Sequence, residues 1–299
     1  MPSLSQRLRR LLPWGSREDA PVVPVVRLAG AIGVAVGFRP GLSLAAAAPA
    51  LERAFSWPGA KAVALLINSP GGSPTQSHLI HKRIRVLADE KKLPVHAFVE
   101  DAAASGGYMI ACAADDIHAD PNSIVGSIGV VSGGFGFHEL IARYGIERRL
   151  YTTGEYKALL DPFKPERAED VARLREIQAR IFESFKDLVR ARRGERLPAE
   201  EGDLFTGAFW AGEDALRMGL VDGIGEARGV LRAKYGDKVR PRLVQTVRPG
   251  LVARLLRRGG PSMEIPAAGL LGGGSAGLLD PTELMAALEE RALWSRLGL

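Results

Sequence analysis

Short apolar runs alternate with helical ones along the first half of the chain, and no other feature narrows the fold as far. PVVPVVRLAG at 21–30 reads as a strand, SLAAAAPALERAF at 43–55 as a helix, KAVALLI at 61–67 as a buried strand and TQSHLIHKRIRVLADE at 75–90 as a helix. PVHAFVE then gives another strand, the segment after Ser105 a helix, and ERRLYTT at 147–153 a further strand. Repeated strand, crossover, strand predicts an α/β fold with a mostly parallel sheet, helices on its faces and right-handed crossovers. Ligands in such folds gather at the carboxyl ends of the strands. Both glycine-rich stretches, INSPGGS and AAASGGY, fall there.

At 299 residues, 46% hydrophobic and 25% charged, the chain can bury a full core, and disorder is excluded for its bulk. We expect a basic segment at 1–20, a main domain at 21–240 and a tail at 241–299. Within the domain, Val171, Leu174, Ile177, Ile181, Phe185 and Leu188 give 166–193 an apolar helical face. In the tail, PAAGLLGGGSAG at 266–277 reads as a linker. A last helix is expected from Asp280-Pro281, with Leu284, Leu288 and Trp294 docking on something, a neighbouring subunit being one choice. The net charge of +6 is concentrated in arginines at the flanks, Arg7 to Arg17 and Arg248 to Arg258. Such flanks suit solvated tails or contact with an anionic membrane surface. No nucleic-acid-binding signature accompanies them, so no nucleic-acid partner is expected. No apolar stretch approaches the length of a membrane span, and the start of the chain has the charge of a signal peptide without its apolar core. The expectation is a cytoplasmic protein with, at most, peripheral contact at the inner face of the cell membrane.

The chemistry centres on the two glycine turns. In Asn68-Ser69-Pro70-Gly71-Gly72 a strand ends in a turn that opens onto a helix, where bare backbone N–H groups can approach a ligand. This suits an oxyanion hole, and equally a turn that merely needs positive φ. Ser105 follows a strand and precedes Gly106 and Gly107, a corner that would expose a nucleophilic hydroxyl. The plainer reading is a helix cap. The five histidines offer no convincing base: His78 and His81 lie three apart on one helix, His96 lies in a strand, and His118 and His138 have no recognisable setting. Cys112, the single cysteine, sits in an apolar run and reads as a small buried residue. A lysine is left as the base, and Lys157 in Gly154-Glu155-Tyr156-Lys157 is the best placed. The ordinary ammonium pKa of about 10.4 must fall before such a group is basic at neutral pH, so an alkaline activity limb is expected.

NSPGG at 68–72, ASGGY at 104–108, VGSIGV at 125–130, GEYK at 154–157 with DPF at 161–163, and WAGEDALRMGLVDGIG at 210–225 occur in that order. Together they resemble the signal peptide peptidase A family of serine proteases, peptidase family S49, in its short, single-repeat form, over about residues 21–236. The resemblance implies the fold of the Clp protease and crotonase superfamily, built from repeated β-β-α units. It implies Ser105 as nucleophile, Lys157 as general base, Ser127 of VGSIGV as the residue orienting the lysine, and Gly72 and Gly106 as oxyanion-hole donors. A turn serine is the other reading of Ser127. No metal or cofactor is implied. The expected partners are peptide substrates, such as remnant signal peptides, and further copies of the chain in a ring-like homo-oligomer whose sites need not take Ser105 and Lys157 from one subunit.

Three rivals share parts of this pattern: a crotonase-type acyl-CoA enzyme using the same paired N–H donors, an inactive scaffold, and a stomatin-associated protease of the same family. Gly133-Gly134-Phe135-Gly136 is too poor a dinucleotide loop to add a fourth.

Overall fold

The computed structural model describes residues 20–34, 41–198, 201–244, 288 and 290–298. The basic segment before residue 20, the linker at 266–277 and the expected start of the last helix at 280 lie outside them.

The centre of the molecule is an eight-stranded sheet. Strands β1 (Val22–Ala29), β2 (Val63–Ser69) and β3 (Val95–Ala104) lie side by side in parallel, with β8 (Arg240–Leu243) parallel to β1 at one edge. The run VALLI of β2 is apolar at every position because a central parallel strand has both faces covered. The helices that join these strands, α1 (Leu44–Phe55) and α2 (Pro74–Lys91), start where a serine caps them: Ser43 Oγ accepts from Ala46 N and Ser73 Oγ from Gln76 N, each at 3.3 Å. The expected alternation and parallel pairing therefore hold across the first half of the chain. β8 carries the sheet past the boundary expected at residue 240.

Beyond β2 the sheet forks. The first half of β3 pairs with β4 (Asp116–Ala119), and its last residues pair with β5 (Ile124–Gly126). Along β2 the register jumps from Ile67↔Val99 to Ser69↔Ala103, so β3 carries two extra residues. Side chains fill the break. Asn68 Oδ1 accepts from Ala102 N at 3.2 Å while its Nδ2 donates to Asp101 Oδ2 at 2.6 Å, and the buried Ser123 hydroxyl donates to Glu100 O at 2.6 Å. An even shift keeps each side chain of β3 on its own face. β6 (Phe209–Ala211) closes the fork antiparallel to β5, and β7 (Gly223–Ile224) pairs with β4.

One face of the sheet buries the main core under α1, α2, the short α3 (Gly106–Ala111) and the second half of α5 (Ala168–Arg193). The other face packs under α7 (Ala227–Tyr235) through Leu231. The apolar stripe of α5 is buried at Phe185 but exposed at Ile177, so only half of the expected face meets the core. On the α7 side, Trp294 and Leu297 pack against Ala102, Ala104 and Ile124, so the expected docking of this segment is onto its own sheet. ERRLYTT forms no strand. Tyr151 is 91% exposed and Ile146 is also open to solvent, so the run has no sheet neighbour and no face to bury. It belongs instead to an arm between β5 and α5 whose helix α4 (His138–Arg143) buries no residue. Helix α6 (Gly212–Arg217) follows β6 directly.

An ion pair under the closing GLVDGIG segment pins α5 to the sheet. Arg193, 2% exposed, reaches Asp222 with Nη1 at 2.8 Å and Nη2 at 3.0 Å, and its Nε donates to Gly219 O at 2.9 Å. Asp222 Oδ2 also accepts from Ile117 N at 2.8 Å. Removing one partner of such a pair strands the other, so Asp222→Ala is expected to cost about 3–5 kcal/mol, read as a lower midpoint in chemical denaturation. Beside this pair, burial pushes the Cys112 thiol up to about 12. The thiolate is therefore scarce below that pH. We expect native protein to resist iodoacetamide at pH 8 and to label at Cys112 only when unfolded.

Candidate active site

The serine corner is formed by a backbone that few side chains tolerate. Ser105 has φ 52° and ψ −118° and makes no capping hydrogen bond with its side chain. This removes the reading of Ser105 as a helix cap. A non-glycine residue in such a conformation costs free energy and persists only where its surroundings over-determine it. Those surroundings are named bonds: Ser105 N donates to Gly126 O at 2.8 Å, and Ser105 O accepts from Met109 N at 3.0 Å as α3 begins. The hydroxyl is thus left at the carboxyl end of β3 with no partner in the protein among the described residues.

The NSPGG turn presses directly against this corner. A Cβ added to Gly71 would lie 2.8 Å from Ser105 Cβ and 3.0 Å from Gly106 N. A Cβ on Gly107 would meet Ser69 O at 2.6 Å, and one on Gly106 would meet Ser77 Oγ at 2.3 Å. Only glycine lets these two turns interlock. Two backbone donors remain uncommitted at the junction. Among the described residues neither Gly72 N nor Gly106 N donates to a protein acceptor, whereas Gly71 N is taken by Ser69 Oγ and Ser73 N by Ile32 O.

Ser127 stands next to Ser105 for a reason that only the register reveals. Ala104 pairs with Gly126, so the residues that follow them, Ser105 and Ser127, leave neighbouring parallel strands side by side. Both have positive φ, 52° and 51°. Ser127 N donates to Ala208 O at 2.7 Å, and Trp210 covers Gly126 so closely that a Cβ there would lie 2.7 Å from its ring. Residues Gly126 and Trp210 were not singled out by sequence reasoning. The signal was present in the spacing of VGSIGV and WAGEDALRMGLVDGIG, but their mutual contact depends on the antiparallel turn-back of β6.

Lys157 is not joined to this group. It is exposed, in a turn closed by Lys157 N donating to Gly154 O at 3.3 Å, and no hydrogen bond links it to Ser105 or Ser127 among the described residues. The arm that carries it is internally ordered. Phe137 N donates to Pro162 O at 2.6 Å, Asp161 of the DPF motif accepts from Phe163 N at 3.0 Å and from Arg148 Nε at 3.3 Å, and Phe135, Phe137 and Phe163 form a chain of rings. Its surface is apolar: Phe135 is 74% exposed, and Val131, Tyr144, Ile146 and Tyr151 are as open or nearly so.

His96, His118 and His81 sit away from this corner. His96 bonds Asp116 Oδ1 through Nδ1 and Tyr235 OH through Nε2, each at 2.7 Å, at the amino end of β3. That is nine residues from Ser105, roughly 25–30 Å of extended strand. His118 stacks on Phe98 in the same region. Burial, followed by the charge of Arg192, holds His81 down at about 4, so it is a neutral packing group on α2.

A 301-residue alignment, 98% of this chain, gives 49% identity to a Brucella abortus protein named Na(+)/H(+) antiporter NhaA, of which it covers 39%. No helix among the described residues is long and apolar enough to cross a membrane. The chain is 37% identical over 171 residues to the chloroplastic serine protease SPPA of Arabidopsis thaliana, covering 55% of this chain and 24% of that one. It is 36% identical over 177 residues to protease 4 of Haemophilus influenzae, covering 58% and 28%. The chain thus spans well under two thirds of the length of each of these relatives. Among solved structures, a lysine-to-alanine mutant of the membrane-bound stomatin-specific protease 1510-N, in complex with a substrate peptide, covers 80% of this chain and 98% of its own at 16% identity, with a TM-score of 0.49. At that score the likeness carries no weight of its own. The model of peptidase family S49 matches residues 88–238, half of the chain, taking in the serine corner, the β5 end and the lysine-bearing arm. On that match this chain belongs to peptidase family S49.

Proposed function

We propose that the chain is a serine endopeptidase that cleaves apolar peptides with a Ser105–Lys157 dyad. The observation that carries this reading is the corner itself: a strained serine whose side chain makes no capping bond, beside the unbonded N–H groups of Gly72 and Gly106. The protease names of its relatives support peptide-bond cleavage as the reaction. In this reading the neutral Lys157 amine takes the Ser105 proton as Oγ attacks the peptide carbonyl carbon. The developing oxyanion rests on Gly72 N–H and Gly106 N–H. The lysine ammonium, oriented by Ser127, then protonates the leaving amine as the C–N bond breaks. Water, deprotonated by the same lysine, cleaves the acyl ester and returns the serine.

The separation of Lys157 from the corner within one chain has a direct explanation. Clusters of exposed apolar side chains mark protein contacts, and the arm bears such a cluster together with the lysine. A ring-like homo-oligomer in which each arm docks beside the next subunit's serine buries the patch and completes the site.

Hydrolysis of an apolar fluorogenic peptide tests the dyad. Ser105→Ala and Lys157→Ala should each lose roughly a thousandfold or more, and the wild type should gain activity as pH rises. Dissociating the two variants and reassembling them in equal amounts distinguishes shared sites from private ones. Shared sites restore about a quarter of wild-type activity, since half of the serines and half of the lysines are intact. No recovery would place both groups in one subunit, and activity surviving either single change would remove the dyad altogether.

A further inference from the structure

A fully buried hydroxyl decides which amide of the NSPGG turn is left free. Ser69 is 0% exposed; its Oγ donates to Gly30 O at 2.8 Å and accepts from Gly71 N at 3.3 Å. The next peptide plane is tied from its other side, where Ile32 N donates to Gly71 O at 2.8 Å. Gly71 is therefore a hinge between two clamped planes. Its φ of 103° and the 137° of Gly72 are conformations that glycine leaves easily, so without the clamps either plane can turn. Ser69 also abuts the second turn, since its carbonyl oxygen and Cβ would lie 2.6 Å and 3.2 Å from a Cβ on Gly107. One residue thus touches both glycine turns, and through them both proposed oxyanion donors.

We propose that Ser69 is a positioning residue for the oxyanion site: its hydroxyl fixes the plane before Gly71 and, together with the Ile32 bond on the plane after it, keeps Gly72 N–H turned to the serine corner. The inference rests on the peptidase reading above. Ser69 acts only through these turns and does not touch substrate.

The test compares wild type, Ser69→Ala and Ser69→Cys in the full chain, with rates expressed per active site titrated by a fluorophosphonate. Ser69→Ala is expected to lower kcat by about ten- to a hundredfold with KM within about twofold, because a misaimed donor loses stabilisation present only in the transition state. Inhibition by a peptide aldehyde, whose hemiacetal oxygen occupies the oxyanion position, should weaken by a similar factor. Ser69→Cys, retaining a weak donor of similar size, should recover part of both, and carries the test alone if the alanine variant does not fold. A purely structural role predicts fewer titratable sites with kcat per site unchanged, and that result, or a loss lying in KM, overturns the proposal. A wild type without Ser105-dependent hydrolysis overturns the peptidase reading and this inference with it. A Ser105-dependent wild type matched by both variants overturns this inference alone.

Discussion

Everything at the carboxyl end of the sheet follows from holding one non-glycine residue at positive φ. Left to itself, Ser105 would relax into an extended or helical conformation, at a gain of order 1–3 kcal/mol. It does not, because its N–H is bonded to Gly126 on one side and its carbonyl starts α3 on the other, with Gly71 wedged against its Cβ. The strain is stored by neighbours that come from three different parts of the chain. This is why the glycines of both turns, the fork in the sheet and the closing strand β6 are parts of one device.

The fork explains how β3 reaches that position. In strict register with β2, Ala103 would lie level with Gly71; the two extra residues hold it back to the level of Ser69, so Ser105 meets the NSPGG turn instead of passing it. Asn68 and Ser123 take up the backbone groups that the missing ladder bonds leave, so the irregularity adds no unpaired donor at these positions. Specificity of placement is obtained here by breaking the regular lattice at a chosen point and satisfying the break with side chains.

Much of this was legible before any coordinates. β1, β2 and β3 and the helices between them follow from apolar runs and serine caps, which act over a few residues and so show in local sequence. The two interlocking turns at Gly71-Gly72 and Ser105-Gly106-Gly107 were legible for the same reason: glycine at a strand end reports a local backbone need. ERRLYTT misled because β-prone residues say only that a segment can pair, whereas a strand forms only where another lies alongside, and this run has none. β4 and β5 are too short to carry a period. The adjacency of Ser127 to Ser105 is a matter of register between strands, and the role of Asp222 is a contact with Arg193 across a long stretch of chain; neither leaves a local trace. Lys157 was recognised from its motif alone, and its exposed position is a property of the arm rather than of its immediate neighbours.

The order of the parts along the chain has a bearing on how the molecule comes into being. Ser105 emerges during synthesis long before Trp210, which covers Gly126, and before Asp222, which locks Arg193 beneath the core. The edge strand β8 joins β1 later still. A growing chain therefore carries Ser105 and the neighbours bonded to it for a long interval before the strand that covers them has been made. Vectorial synthesis thus withholds the shaped corner until the strand and loop that brace it have followed, a delay written into the connectivity of the sheet.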